Sequence, residues 1–174
     1  DLALGIVKAF YMTRVGEGPF PTEIGGEQSA AWCRDPTANK KCELELYASA
    51  NVNDQDPFLQ GVGIRKTGSE YGATTGRPRR TGWLDLPFLR YSIYHTGPNV
   101  ILTKLDVLDQ CREIKICTEY EYRGPDYHWG GYIFRNGSRL GVAIPDCDFM
   151  AHCFPVYRSF DGWLQDIRNT ETYD

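Results

Sequence analysis

Apolar residues crowd the start of the chain, where residues 2–10 read LALGIVKAF and are followed by glycines and prolines. A run of this kind, rich in Leu, Ile and Val and bounded by turn residues, predicts a buried strand. Residues 16–21, GEGPFP, hold too much Gly and Pro for a regular element and predict a loop. The sequence then turns polar, with Pro36 and Pro57 as breakers. Residues 24–60 are expected to form a surface insertion with one short strand over residues 42–48. Asp85 is placed to cap a helix in which Leu84, Phe88, Tyr91 and His95 share one face and which ends at Gly97. Pro87 is tolerated there because the first-turn N–H groups have no intrahelical partner. Residues 99–102 predict a short buried strand that delivers polar residues at its C-terminal end, the end at which ligands bind in open parallel sheets. Over residues 113–122, Ile114, Ile116, Thr118 and Tyr120 alternate with polar partners, the pattern of a half-buried strand. Asn136-Gly137 marks a hairpin turn.

These elements amount to an α/β fold: part of a mostly parallel central sheet with helices, and a hairpin-rich C-terminal portion from Glu113 onward. The 174 residues are enough for one ordinary domain. Residue 1 is Asp, and residues 169–174 end on a polar stretch without a closing element. Residues 1–174 are therefore expected to be a partial domain cut from a longer chain.

Composition narrows the function classes. Hydrophobic residues at 41% and charged residues at 24% match globular averages, which argues against disorder. A formal charge of −4 argues against a general nucleic-acid binder, which needs excess Lys and Arg to displace phosphate counterions. Residues 1–174 contain neither an apolar run of bilayer length nor a basic-then-apolar leader, so no membrane association and a cytoplasmic location are expected. The six cysteines are not spaced as a secreted scaffold and read as free thiols. Asp146, Cys147, Asp148, His152 and Cys153 lie close in sequence but lack the paired spacing of a zinc site, so no metal site is assigned. His95, His128 and His152 read as core or surface residues, and the carboxylate pairs Asp106/Asp109 and Asp146/Asp148 are given no catalytic role.

Two segments carry chemistry. Gly72, Ala73, Thr74, Thr75, Gly76, Arg77, Pro78, Arg79 and Arg80 combine glycines, hydroxyls and three guanidinium groups in an acidic chain. Glycine permits close backbone approach, threonine supplies donors, and arginine grips carboxylate or phosphate with a two-pronged fork. The segment is either an anion-capturing loop or a solvated basic turn. Thr103, Lys104, Leu105 and Asp106 follow the N/T-K-x-D pattern for recognising guanine, whose N1–H and 2-amino group can both donate to one carboxylate.

Residues 5–10 (GIVKAF), 13–16 (TRVG), 18–23 (GPFPTE), 71–85 (YGATTGRPRRTGWLD) and 102–109 (LTKLDVLD) closely resemble, in that order, the adenylosuccinate synthetase family. The likeness is fainter through residues 113–117, 155–157 and 162–163. It implies a homodimeric enzyme that uses GTP and Mg²⁺ to ligate L-aspartate to IMP, phosphorylating the 6-oxygen before the aspartate amine displaces the phosphate. It also implies an aspartate loop comprising Ala73, Thr74, Thr75, Gly76, Arg77, Pro78 and Arg79. In that loop Thr74, Thr75 and Gly76 would take one carboxylate, and Arg77 would take the other while touching the IMP ribose. Val15 and Gly16 would lie beside that ribose; Arg79, Lys104, Leu105 and Asp106 would contact GTP.

The family's glycine-rich phosphate loop, with its general base and Mg²⁺ ligand, and its nearby catalytic histidine have no counterpart in these residues. No catalytic residue is therefore assigned, Mg²⁺ is ascribed to the part not present, and the fragment alone is expected to be inactive. Asp161 stands where the family usually has proline before Gly162. Two rivals remain: a sister ligase acting on another purine nucleotide, and a noncatalytic guanine-nucleotide or anion-binding module.

Overall fold

The computed structural model describes residues 3–169. Residues 1–2 and 170–174 lie outside the described part.

Strand β1, Gly5–Lys8, starts the described chain and is shorter than the predicted run. Phe10 takes a left-handed φ of 64°, which no strand continues, so the chain kinks there and resumes as β2, Tyr11–Arg14, a strand not foreseen from sequence. Helices α1 (Gly26–Arg34), α2 (Lys40–Leu46) and α3 (Pro57–Gly68) follow. The strand expected over residues 42–48 is thus corrected to helix: Asn39 accepts from the Cys42 N–H and starts α2. Pro57, read as a breaker, sits in the first turn of α3, where Asp56 caps the Phe58 N–H at 2.8 Å. Nor does the segment 24–60 lie wholly on the surface, since Ser29, Cys33, Ala38, Glu43, Ala50 and Val52 are buried.

Glu43 explains that burial. Its carboxylate is fully enclosed and accepts from Arg65 Nη2 at 3.0 Å, Tyr71 Oη at 2.7 Å and Trp32 Nε1 at 2.5 Å. One buried anion therefore ties α1, α2, α3 and the start of the arginine-rich loop together.

Strand β3, Arg80–Asp85, has all six residues buried and is the spine of the molecule. It pairs antiparallel with β2 and parallel with β5, Glu113–Tyr122. A Cβ at Gly82 would stand 2.6 Å from the Phe20 ring and 2.7 Å from the Thr22 carbonyl, so only glycine lets the GEGPFP loop pack so tightly on this strand. Helix α4, Leu86–Thr96, forms with the expected ends: Asp85 accepts from the Phe88 N–H at 3.0 Å, and Gly97 ends it, but Leu84, expected on its face, belongs to β3. Phe88, Tyr91 and His95 do share a face, with ring centroids 6.3 and 4.7 Å apart, but His95 is exposed.

Strand β4, Val100–Thr103, pairs parallel with β1. Burial was expected for both, yet Ile6, Val100, Ile101 and Leu102 are all exposed, because among the described residues β1 and β4 have no further strand beside them. Parallel pairing is confined to β1–β4 and β3–β5 among the described strands, and the remaining ladders are antiparallel.

Strand β5 matches its predicted span, but its buried side chains are Ile114, Cys117, Tyr120 and Tyr122, because a register shift between Cys117 and Glu119 changes the phase of the alternation. The C-terminal portion comprises β6 (Tyr127–Trp129), β7 (Tyr132–Phe134), β8 (Arg139–Leu140), α5 (Cys147–Met150) and β9 (Cys153–Asp161). The two-residue hairpin turn is Gly130-Gly131, joining β6 and β7 with φ of 56° and 83°. Asn136-Gly137 does form a turn, with Ser138 N–H donating to Arg135 at 2.8 Å, but it leads into β8 against β5 and closes no hairpin.

Asp146 accepts from the Phe149 N–H and caps α5. All six cysteines are free. The backbone at Gly162 approaches Cys111 so closely that a Cβ would lie 1.7 Å from its carbonyl oxygen, and Trp163 Nε1 donates to Asp109 at 2.8 Å. The Gly-Trp step thus docks on the core even with Asp161 before it, and Asp109 has a structural task.

Candidate functional site

The arginine-rich loop is closed by its own backbone. Gly72 N–H donates to the Arg77 carbonyl at 2.9 Å, Gly76 N–H donates to the Gly72 carbonyl at 2.8 Å, and Gly76 adopts a φ of 66° that favours glycine. The Gly76 carbonyl accepts from the Lys40 N–H at 2.8 Å, so α2 holds the loop tip. Ala73, Thr74, Thr75 and Arg77 are exposed on this frame, while Pro78 is buried.

The three guanidinium groups differ in their engagements. Arg77 is exposed and makes one bond to a residue outside its loop, from Nη2 to the Arg34 carbonyl at 3.0 Å. Arg79 donates from Nη1 to buried Glu70 at 2.9 Å. Arg80 is buried in an ion pair with Glu23, and its Nη1 donates to the carbonyls of Gly16 and Gly18 at 3.1 and 2.8 Å. Arg80 is thereby committed to shaping the turn that contains Val15 and Gly16.

Between this turn and the loop lies a cleft of about 450 Å³ lined by Val15, Gly16, Gly72, Thr75, Arg77, Pro78 and Arg79, together with Arg14, Glu17, Cys33, Arg34 and Arg80. Residues 56 or more positions apart in sequence thus face one space. Another cleft, of about 280 Å³ between β2, the GEGPFP loop and α5, is lined by none of the residues identified from sequence as candidate contacts.

Lys104, Leu105 and Asp106 stand outside the 450 Å³ cleft, at the C-terminal end of β4. Lys104 holds a left-handed φ of 56°, an uncommon conformation for a lysine that breaks the strand and starts a 3-10 turn over Leu105–Leu108. Asp106 is exposed in the first turn of that element. Glu70 joins the two regions. Its carboxylate accepts from Lys104 at 3.0 Å and Tyr11 at 2.7 Å on Oε1, and from Arg79 and Lys8 at 2.9 Å on Oε2. Burial on its own would raise the Glu70 carboxyl, but hydrogen bonds from Lys8, Tyr11 and Lys104 hold it down to about 2. The Tyr11 hydroxyl is pushed well above its ordinary range by burial and by the Glu70 charge.

Sequence reasoning missed Glu70, Glu23 and Lys8. The signal available for each was a lone charged residue beside an apolar or glycine-rich segment, and nothing local names its partner. Arg80, one of the three guanidinium groups of the arginine-rich segment, is neither solvated nor open to a ligand, because it is buried against Glu23.

Comparison with known proteins follows this geometry. The chain is 37% identical over 175 residues to adenylosuccinate synthetase of Halothermothrix orenii, with 99% of this chain and 30% of that protein covered. It is 39% identical to that of Desulforamulus reducens, again with 99% of this chain and 30% of the relative covered. The solved structure of fully ligated adenylosuccinate synthetase from Plasmodium falciparum superimposes with a TM-score of 0.61 at 32% identity, covering 96% of this chain and 30% of that one. The chain thus spans 30% of the length of each of these relatives. The adenylosuccinate synthetase family model matches residues 1–174, the whole chain, and the chain belongs to that family.

Proposed function

We propose that the protein containing this chain ligates L-aspartate to IMP at the expense of GTP, and that this segment supplies the aspartate loop and the guanine-reading contacts. The observation that carries the reading is the shared cleft, in which the Val15-Gly16 turn and the Thr75, Arg77 and Arg79 side of the loop face each other. The exposed hydroxyls of Thr74 and Thr75 and the fork of Arg77 suit the two carboxylates of aspartate, with Val15 and Gly16 beside the IMP ribose. Arg79, Lys104, Leu105 and Asp106 form the GTP side. In the reaction the γ-phosphoryl group passes from GTP to the IMP 6-oxygen. The aspartate nitrogen then attacks C6, and inorganic phosphate leaves with that oxygen. The residues described here would orient the dianionic amino acid and the base, a contribution through positioning and fixed charge.

Mg²⁺, the general base and the catalytic histidine are proposed to come from the part of the relatives that this chain does not span. Among the described residues no group of three or more His, Cys, Asp or Glu side chains stands together to hold a metal ion. A polypeptide of these 174 residues is accordingly expected to show no GTP-dependent conversion of IMP and aspartate. Homodimerisation and a cytoplasmic location are further parts of this proposal; among the described residues no helix is long and apolar enough to cross a membrane. Residues 24–60 are proposed to be an insertion relative to the family, anchored through Glu43.

Asp106→Asn in the full-length protein tests the reading. If the carboxylate accepts from guanine N1–H and the 2-amino group, asparagine places a donor against the 2-amino donor, whereas xanthine offers a carbonyl there. The mismatch costs about 1–3 kcal/mol, so kcat/KM for GTP relative to XTP should fall roughly 5- to 150-fold. An unchanged ratio would show that Asp106 does not read the base.

A further inference from the structure

Glu70 is fully buried, and four segments converge on it: Lys8 at the end of β1, Tyr11 in β2, Arg79 in the arginine-rich loop, and Lys104 at the end of β4. Its two carboxylate oxygens receive four donors at 2.7–3.0 Å. Arg79 is held twice, because its backbone N–H also donates to the Glu70 carbonyl at 3.0 Å. Lys104 is held twice as well, with its ammonium 2.6 Å from the Gly68 carbonyl in the last turn of α3. Three cations against one carboxylate leave the cluster positively charged, and the Arg79 and Lys104 side chains remain 35% and 40% exposed, so both can also reach an outside ligand.

Resting on the guanine-nucleotide reading above, we infer that Glu70 is a positioning residue for the nucleotide: through one buried carboxylate it fixes Arg79 and Lys104 relative to each other. Among the described contacts neither cationic side chain is bonded within its own segment. Arg79 lies half-buried where the loop joins β3, and Lys104 lies in a left-handed step between a strand and a 3-10 turn. A long flexible cation loses rotamer freedom on binding, and a shared buried anchor removes that freedom before the ligand arrives. The Val15-Gly16 turn hangs from Arg80 and Glu23 instead, with no bond to Glu70 among those described.

The test is Glu70→Gln in the full-length protein, with kcat and the KM values for GTP and IMP measured separately. Glutamine keeps the shape and removes the charge that gathers the cations. The KM for GTP should rise roughly tenfold or more, as for the loss of a charge-assisted hydrogen bond, while the KM for IMP stays within about twofold. An unchanged KM for GTP, or equal rises for both substrates, would overturn the assignment, since a merely structural defect has no reason to single out the nucleotide. If Glu70→Gln does not accumulate as folded protein, a cycle of Arg79→Gln, Lys104→Gln and the double variant decides: coupling through Glu70 requires non-additive effects on the KM for GTP, and additive effects would overturn it. Asp106→Asn run in parallel separates the two ideas. A shift in base preference with no Glu70→Gln effect defeats the positioning role alone, and no shift in base preference defeats the guanine reading beneath it.

Discussion

Arg80 and Glu23, 57 positions apart, form a forked ion pair in which Nε lies 3.1 Å from each carboxylate oxygen and Nη2 lies 2.6 Å from Oε2. The remaining nitrogen of the fork reaches the carbonyls of Gly16 and Gly18. Only a planar guanidinium can serve a carboxylate on one edge and two carbonyls on the other, so lysine is no substitute here. Arg80→Lys should lower stability by about 1–3 kcal/mol and weaken IMP binding more than GTP binding. Denaturant midpoints and the two KM values check both parts, and a larger effect on GTP would contradict the assignment of the Val15-Gly16 turn to IMP.

Arg77 presents the opposite case. Its guanidinium is exposed and engages one carbonyl outside its own loop, that of Arg34, so it is free to turn toward a carboxylate. Arg77→Leu in the full-length protein should leave stability within about 0.5 kcal/mol. The same change should raise the KM for aspartate roughly tenfold or more, with little change for GTP. Steady-state kinetics with each substrate varied in turn decides it, and equal losses for aspartate and GTP would contradict the aspartate-loop reading.

The Glu43–Arg65 pair is wholly buried, with both side chains at 0% exposure. Glu43→Gln would strand a buried guanidinium, and the expected cost is about 3–5 kcal/mol. Because Tyr71 and α2 hang from the same carboxylate, the loop tip should loosen as well. Amide hydrogen exchange at Gly76, compared between wild type and variant, should rise. Unchanged exchange with lowered stability would separate the core from the loop.

Glu70 predicts a pH dependence with a definite sign. Its carboxyl is held at about 2 in the folded protein against an ordinary 4.5. A depressed carboxyl contributes stability that is complete above the ordinary value and disappears as pH falls toward the folded one. Wild type should therefore exceed Glu70→Gln in urea midpoint near neutrality, and the gap should close between about pH 4.5 and 2 as Glu70 protonates. A gap that persists unchanged at about pH 2.5 would mean that the charge of Glu70 is not what gathers the cations.

Sequence alone determined those features whose cause lies within a few residues. Asp85, Pro87 and Gly97 bound α4 because capping and the missing proline N–H act within one turn. The span of β5 followed from its alternation, although its phase did not, since a bulge displaces the pattern without leaving a local mark. That residues 72–79 form a loop and that Lys104 to Asp106 follow the end of a strand was legible from glycine, proline and apolar spacing. Tertiary structure decided the rest, because an ion pair between distant residues has no period. Glu43 and Arg65, 22 positions apart, turn the polar stretch after Gly25 into packed helices. Glu23 engages Arg80 in a buried ion pair, and Glu70 brings Arg79 and Lys104, 25 positions apart, onto one carboxylate. A buried charge must find its partner wherever the fold places one, and that choice is made in three dimensions.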